Sequence, residues 1–353
     1  MGKSLNKKII VAPLNWGLGH ATRCIPIIHA LQEAGYEPII ASDGEALALL
    51  KKEFPYLKAL HLPGYKIKYA EKSWFFKWKL LLQMPKMFRA IYLEHLTILD
   101  YAKQHQVKGI VSDNRLGCYV KGVPSVFITH QLQVLSGTSS KITSWVHNWY
   151  IKKYDACWVP DVSSNRNLSG LLGHPKKFLI DTKYLGIVSR FKKLDLPKLY
   201  DLLVVLSGPE PQRTLLEEKL MVELKHFKGK VLFIKGKISD SQNFEEQDHI
   251  TYYNYMNARQ LEKAFNQSEM ILARSGYTTV LDLAKLEKKA FFIPTPGQYE
   301  QEYLAKKFKK ENIAPSCNQA DFKIEMLSKV DFYRGFQGFE SEDKLQDLFE
   351  IFL

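Results

Sequence analysis

"NWGLGHATR" (residues 15–23) stands between the apolar runs "KKIIVAP" (7–13) and "CIPIIHAL" (24–31). A buried strand that meets a Gly-x-Gly turn and re-emerges as an amphipathic run is the opening of an α/β unit. Gly17 and Gly19 also match the first two glycines of a dinucleotide-binding fingerprint, with Asp43 after the next apolar run as a candidate ribose ligand. Thr22 occupies the third glycine position, however, and Trp16 and His20 add bulk around the turn. The bland alternative is a tight strand–helix corner with no ligand.

The same grammar continues along the chain. "YEPIIAS", "GIVSD", "SVFIT" and "DACWVP" read as further strands of the first half, the last of them closing it, with a helix near 20–34 ending at Gly35. After "YLGIVSRFKKLDLPKLY" the pattern restarts. "DLLVVLSG", "KVLFIKG", "EMILAR" and "KAFFIPT" read as strands, while "TLLEEKLMVEL", "ARQLEKAFNQS" and "SGYTTVLDLAKLE" read as helices. Strand–helix alternation at this spacing predicts α/β architecture with parallel sheets covered by helices. The expected organisation is an N-terminal Rossmann-like domain over 1–186, a linker over 187–200 and a second Rossmann-like domain over 201–335. An amphipathic C-terminal helix over 336–353 would pack back on the first domain.

Composition bounds the function classes. The chain has 353 residues, 46% hydrophobic and 25% charged, an ordinary globular mix. Its apolar stretches fall short of the about 20 residues of a membrane span, and the opening apolar run is too short for a signal peptide. The 4 cysteines (Cys24, Cys118, Cys157, Cys317) are scattered, with no CxxC spacing, which fits a reducing cytoplasm and excludes a disulfide framework. With 50 Lys+Arg against 37 Asp+Glu, the net charge of +13 favours anionic partners. No nucleic-acid recognition module accompanies that charge, so nucleic acid is not expected. "YKIKYAEKSWFFKWKLLLQMPKMFR" (65–89) concentrates it: Trp74, Trp78 and Leu81 recur at helical spacing among lysines. That pattern suits an anionic membrane surface, with a buried helix face as the plain alternative.

Two further turns bear on the ligand. "LSGPEPQR" places Ser207 and Gly208 after one strand, and "ARSGYTTVLDLA" places Arg274, Ser275 and Gly276 after another. Backbone N–H groups at such turns and at helix N-termini receive phosphate. Two α/β halves, each opening on a strand and a glycine turn, favour a nucleotide-sugar enzyme over a single dinucleotide site.

"ARSGYTTVLDLAKLEKKAFFIPTPGQYEQEYLAKKF" (273–308) resembles the donor-binding signature of family 28 glycosyltransferases, the family of the bacterial UDP-N-acetylglucosamine transferase of lipid-linked peptidoglycan precursor synthesis. "NWGLGHATRCIPIIHAL" and "SGPEPQR" resemble the glycine loops that open its two domains. The resemblance runs from end to end as separated motifs. It implies a GT-B fold, two Rossmann-like domains facing across a cleft, and an inverting transfer that needs no metal or cofactor. By the resemblance, Ser207, Gly208, Ser275 and Gly276 approach the diphosphate, Met256 packs and hydrogen-bonds the uracil, and Arg274 and Thr279 belong to the same donor-binding set. Asp282 stands in place of a ribose-binding glutamate, one methylene shorter. Gln301 and Glu302 match a Gln–Gln pair that reads the sugar, and the Glu suggests a different donor sugar. His20 and His130 match two family histidines, with Gln131 in place of the glutamate that follows the second.

The expected chemistry is transfer of a hexose or N-acetylhexosamine from a UDP-sugar to a lipid-linked or glycan acceptor, at the inner membrane face. Histidine suits a base for the acceptor hydroxyl. His20 is the first candidate, with Asp113 in "VSDNR" and His130 in "ITHQL" as alternatives; Gly17, Gly19 and Arg23 would shape the acceptor side, Arg23 assisting an acceptor phosphate. Competing readings are a nucleotide-sugar hydrolase or epimerase of the same fold, a noncatalytic sensor, and an NAD-type oxidoreductase at Gly17–Gly19.

Overall fold

A computed structural model describes residues 7–65, 76–134, 140–178, 180–237, 241–339 and 345–353, with backbone alone over 76–82 and 140–142. The described chain forms two compact units, one of residues 7–65, 77–190 and 345–353 and one of residues 191–339.

The first unit is built on β1 (Lys7–Pro13), β2 (Tyr36–Ser42), β3 (Ala59–His61), β4 (Gly109–Asp113), β5 (Ser125–Ile128), β6 (Ala156–Val159) and β7 (Asp181–Tyr184). All seven are parallel, in the order β3-β2-β1-β4-β5-β6-β7. β1 explains why: Ile9 and Val11 join one apolar cluster, and Ile10 and Ala12 another on the opposite face. A strand buried on both faces reads as a continuous β-branched run and needs helices above and below. Helices α1 (Gly19–Glu33), α2 (Gly44–Glu53), α3 (Phe76–His105) and α4 (Ser140–Ile151) supply these layers.

The second unit repeats the scheme with β8 (Tyr200–Val205), β9 (Val231–Ile234), β10 (Phe244–Gln247), β11 (Ile250–Tyr253), β12 (Ser268–Ala273) and β13 (Lys289–Phe292). The order is β10-β11-β9-β8-β12-β13, parallel except for the edge pair β10–β11. Its helices are α5 (Gln212–Glu223), α6 (Ala258–Asn266), α7 (Tyr277–Lys285) and α8 (Tyr299–Lys310). In both sheets the strand order reverses direction beside the first strand of the unit. Open α/β sheets bind ligands at the carboxyl ends of the strands flanking such a reversal.

Two sequence expectations change. β6 does not close the first half, because β7 adds a further parallel strand. The C-terminal segment forms a 3₁₀ helix over Leu345–Phe352 in place of an amphipathic α-helix. Leu348, Phe349 and Phe352 lie in the apolar cluster under α1. A 3₁₀ turn stacks residues three apart, which places Phe349 and Phe352 side by side against Tyr36 and Trp158. Gly109 permits the approach: a Cβ there would stand 2.2 Å from Phe352 Cδ1.

Candidate functional site

In the first unit the reversal falls between β1 and β4, whose last paired residues are Pro13 and Asp113. The loop after β1 therefore carries His20 to the end of β4. Gly17 takes a φ of +75°, a left-handed turn that glycine adopts without strain. Gly19 opens α1, whose N-terminus has no side-chain cap.

The outcome is a hydrogen-bonded pair. His20 Nδ1 lies 2.8 Å from Asp113 Oδ1. Asp113 is fully buried, and Arg23 holds it with two bonds, Nε to Oδ2 at 2.8 Å and Nη2 to Oδ1 at 2.5 Å. Burial alone raises a carboxyl pKa, but here the charges and hydrogen bonds of Arg23 and His20 outweigh it and hold Asp113 well below the usual carboxylate range. Asp113 is thus ionised and can only accept; Arg23 Nη2 also lies 2.9 Å from Nδ1 but already donates to Asp113 Oδ1, so the His20 tautomer that serves the shorter Asp113 contact carries its proton on Nδ1. Nε2 is left as the basic nitrogen of a ring whose side chain is 17% exposed.

Arg23 is a correction to the sequence reading. It is buried and its guanidinium faces Asp113, so it fixes the pair and does not present itself to an acceptor phosphate. His130 is also buried, and its neighbours are Gln131, with Nε2 at 3.5 Å, and His147. Trp16, by contrast, stands 40% exposed on the loop that precedes His20.

Sequence reasoning missed a second buried network beneath this loop. Arg115 pairs with Asp43 and with Glu94, the latter at 2.8 Å, and donates to the carbonyls of Pro13 and Pro63. Tyr65 Oη donates to Glu94 at 2.6 Å. Asn15 donates to the other oxygen of Asp43 at 3.2 Å and accepts from Ala46 N. Both carboxylate oxygens of Asp43 are therefore engaged in holding the loop, which removes the acid that a dinucleotide ribose would need. The pattern was invisible in sequence because Arg115 and Asp43 are 72 positions apart.

In the second unit the reversal falls between β8 and β12, paired through Val205 and Ala273. The turns after these strands carry Ser207–Gly208 and Arg274–Ser275–Gly276. Ser207 and Gly208 are exposed, Gly208 with a φ of +109° that residues with a side chain rarely adopt. Gly276 is the N-cap of α7, without a side-chain cap, and nothing lies within 4 Å of where its Cβ would be. That helix terminus leaves N–H groups and positive dipole free for an anion.

The neighbouring side chains brace the turns. Ser275 Oγ donates to Gln301 O at 2.7 Å, and Gln301 Oε1 accepts from Thr295 N at 2.8 Å. Glu302 Oε1 accepts from Gly297 N at 2.9 Å. Through these bonds Gln301 and Glu302 organise the loop after β13. Arg274 departs further from expectation. It is buried and donates to the carbonyls of Ile293, Pro294 and Gln212 and to Gln319 Oε1. None of these partners is a carboxylate, and burial lowers its pKa to about 10. It fastens the strand ends and contributes an uncompensated positive charge beneath the turns. Met256 lies in the loop before α6, which Asn257 and Gln260 close with a capping box. Thr279 and Asp282 lie half-buried along α7.

Other features fall away from these turns. Among the described residues no group of three or more His, Cys, Asp or Glu is placed to hold a metal, and no described helix is long and apolar enough to cross a membrane. Of the aromatic basic stretch 65–89, residues 66–75, Trp74 among them, lie outside the described residues, and 76–89 form the start of α3. The described surface of the first unit has its own aromatic patch: Trp145 and Trp149 on α4 are 70% and 50% exposed.

Comparison with known proteins agrees with this geometry. Residues 208–330 match the profile of the glycosyltransferase family 28 C-terminal domain, a span that contains every donor-side position named above except Ser207. Among solved structures, Acinetobacter baumannii MurG is 15% identical, covers 93% of this chain and 92% of its own, and superposes with a TM-score of 0.55. The spinosyn forosaminyltransferase SpnP gives 11% identity, 98% coverage of both chains and a TM-score of 0.67. The glycosyltransferase VinC, solved with dTDP, gives 11%, 98% of both and 0.64. At these identities the structural likeness establishes the fold, which is that of the GT-B glycosyltransferases. No curated protein matches the chain in sequence.

Proposed function

We propose that the chain, whose residues 208–330 match the family 28 glycosyltransferase C-terminal domain and whose fold is that of the GT-B glycosyltransferases, transfers a hexose or N-acetylhexosamine from a UDP-sugar to a lipid-linked or glycan acceptor. The observation that carries this reading is the His20–Asp113 pair: a partly exposed histidine with one nitrogen fixed on an ionised carboxylate and the other left as the base. An acceptor hydroxyl gives its proton to Nε2 as its oxygen attacks the anomeric carbon. Asp113 stabilises the imidazolium that results. The bond from the anomeric carbon to the diphosphate breaks in the same displacement, so configuration inverts. The departing nucleoside diphosphate gains charge, which the Gly208 and Gly276 turns, the α7 terminus and the Arg274 charge are suited to stabilise without a metal.

The lipid side of the proposal rests on the aromatic patch. Trp145 and Trp149 are four residues apart and so share one face of α4. Lys153 Nζ stands 3.9 Å from the Trp149 ring centroid. On α3, Phe88, Tyr92 and Leu96 form a second exposed row at the same spacing. Indole rings at the headgroup level with lysines beside them favour an anionic membrane surface on the cytoplasmic side. A hydrolase or epimerase acting on the nucleotide-sugar alone has no use for such a surface.

The test is calorimetric titration with UDP, UDP-N-acetylglucosamine, UDP-glucose, UDP-galactose, GDP-mannose and NAD. Binding of one UDP-sugar, with none of NAD, supports the reading and names the donor. Binding of NAD alone overturns it.

A further inference from the structure

One buried polar atom beside the donor turns has no protein partner. Thr295, three residues past Phe292 at the end of β13, is 2% exposed, and its Oγ1 makes no hydrogen bond to the protein. Buried hydroxyls in folded proteins are almost always paired, so an orphan in a binding region asks for a partner that the free protein lacks. The backbone around it is held on both sides. Gln301 Oε1 accepts from Thr295 N, Gln298 N donates to Thr295 O, and Arg274 holds the carbonyls of the two preceding residues. The side chain is therefore fixed in place and still lacks a bond.

Its surroundings indicate which partner it lacks. Oγ1 lies 3.7 Å from where a Cβ on Gly208 would be, so a side chain at 208 would lie in contact with it. The adjoining turn is the uncapped α7 N-terminus at Gly276, joined to the Thr295 loop through the Ser275–Gln301–Thr295 bonds. The buried Arg274 guanidinium, with no carboxylate on it, lies on the same loop. Positive dipole, uncompensated positive charge and an unused O–H donor together select an anion with several acceptor oxygens.

We propose that Thr295 is a further donor-binding residue whose hydroxyl donates a hydrogen bond to an oxygen of the nucleotide-sugar diphosphate. The proposal rests on the donor-site reading of the second unit and adds a contact from β13 to those of the β8 and β12 turns. The hydroxyl has no protein partner in the ligand-free chain, and the diphosphate oxygen supplies one.

Thr295→Val keeps the branched shape and removes only the hydroxyl; Thr295→Ser keeps the hydroxyl. Calorimetry with UDP, dTDP and GDP on the wild-type chain comes first, followed by the two variants with the nucleotide that binds, each with a ligand-free thermal melt. The expected result is a loss of about tenfold in affinity for Thr295→Val, equivalent to about 1.4 kcal/mol, and a change under about threefold for Thr295→Ser. The ligand-free Tm of Thr295→Val should equal or exceed wild type, since no internal bond is lost. Unchanged affinity in Thr295→Val overturns the proposal. A lowered ligand-free Tm in that variant also overturns it, by showing a structural role for the hydroxyl. A wild-type chain that binds none of the three nucleotides overturns the donor reading itself.

Discussion

Asp113 Oδ1 stands 2.8 Å from His20 Nδ1 although the two residues are 93 positions apart. Parallel pairing of β1 with β4 accounts for the meeting, since it sets Pro13 opposite Asp113 and the loop after β1 has nowhere else to cross. The pair is thus a product of topology, and its chemistry depends on the tautomer that Asp113 selects. Asp113→Asn should lower turnover by about 10²-fold or more, the range of a general acid–base contribution. Donor affinity should stay within about threefold, a difference well below 1 kcal/mol. Steady-state rates and donor titration on the same preparation check this.

Arg23 bears on stability as well as on geometry. Replacing it with alanine leaves Asp113 buried without its cation, a change that costs about 3–5 kcal/mol. Denaturant unfolding of Arg23→Ala should show that loss, and Arg23→Ala with Asp113→Asn should recover part of it. The sign of the pH dependence follows from the depressed pKa of Asp113. Its contribution is complete above the ordinary carboxylate range and is lost as pH falls below it.

Phe352 fills the space that Gly109 leaves open. Phe352→Ala should destabilise the first unit by about 3–5 kcal/mol, as for other buried Phe truncations. Gly109→Ala should be destabilising by overpacking unless Phe352 is made smaller. A double-mutant cycle read by thermal melts tests the coupling.

Lys288 is buried, donates to the carbonyls of Asn266 and Ser268, and lies near Lys198. Burial, then the neighbouring Lys198, lowers its pKa to about 7. Between about pH 7 and the ordinary lysine value of about 10.4, the unfolded chain holds a proton that the folded chain does not. Folded stability therefore rises with pH across that window. Thermal melts of Lys288→Met and wild type should differ by an amount that changes through this window in favour of wild type as pH rises, and is constant below pH 6.

Much of the sheet architecture was legible because its central strands are buried on both faces and announce themselves as runs such as "KIIVAPL" and "DLLVVLSG". The strands that sequence missed are short or lie at the margins. β3 has 3 residues, and β10, "FEEQ", is exposed throughout, so neither carries an apolar pattern. His20 and Asp113 were legible singly, as a histidine after a glycine turn and a carboxylate at a strand end; their bond was not, since nothing local records which strands pair. Arg274 shows the opposite limit. An arginine beside a phosphate-type turn reads as an anion ligand, and only the fold reveals that backbone carbonyls take its guanidinium N–H groups. Thr295 gave no signal, because an unpaired hydroxyl is a property of the packed state alone.

The central claim is that His20 acts on the acceptor while the donor is held by the second unit. The direct measurement is sugar transfer by His20→Ala, made alongside titration of the same variant with the donor nucleotide. Transfer reduced by about 10²-fold or more, with nucleotide affinity unchanged and a native melting profile, is the predicted result. Transfer at the wild-type rate would contradict the account and move the base elsewhere.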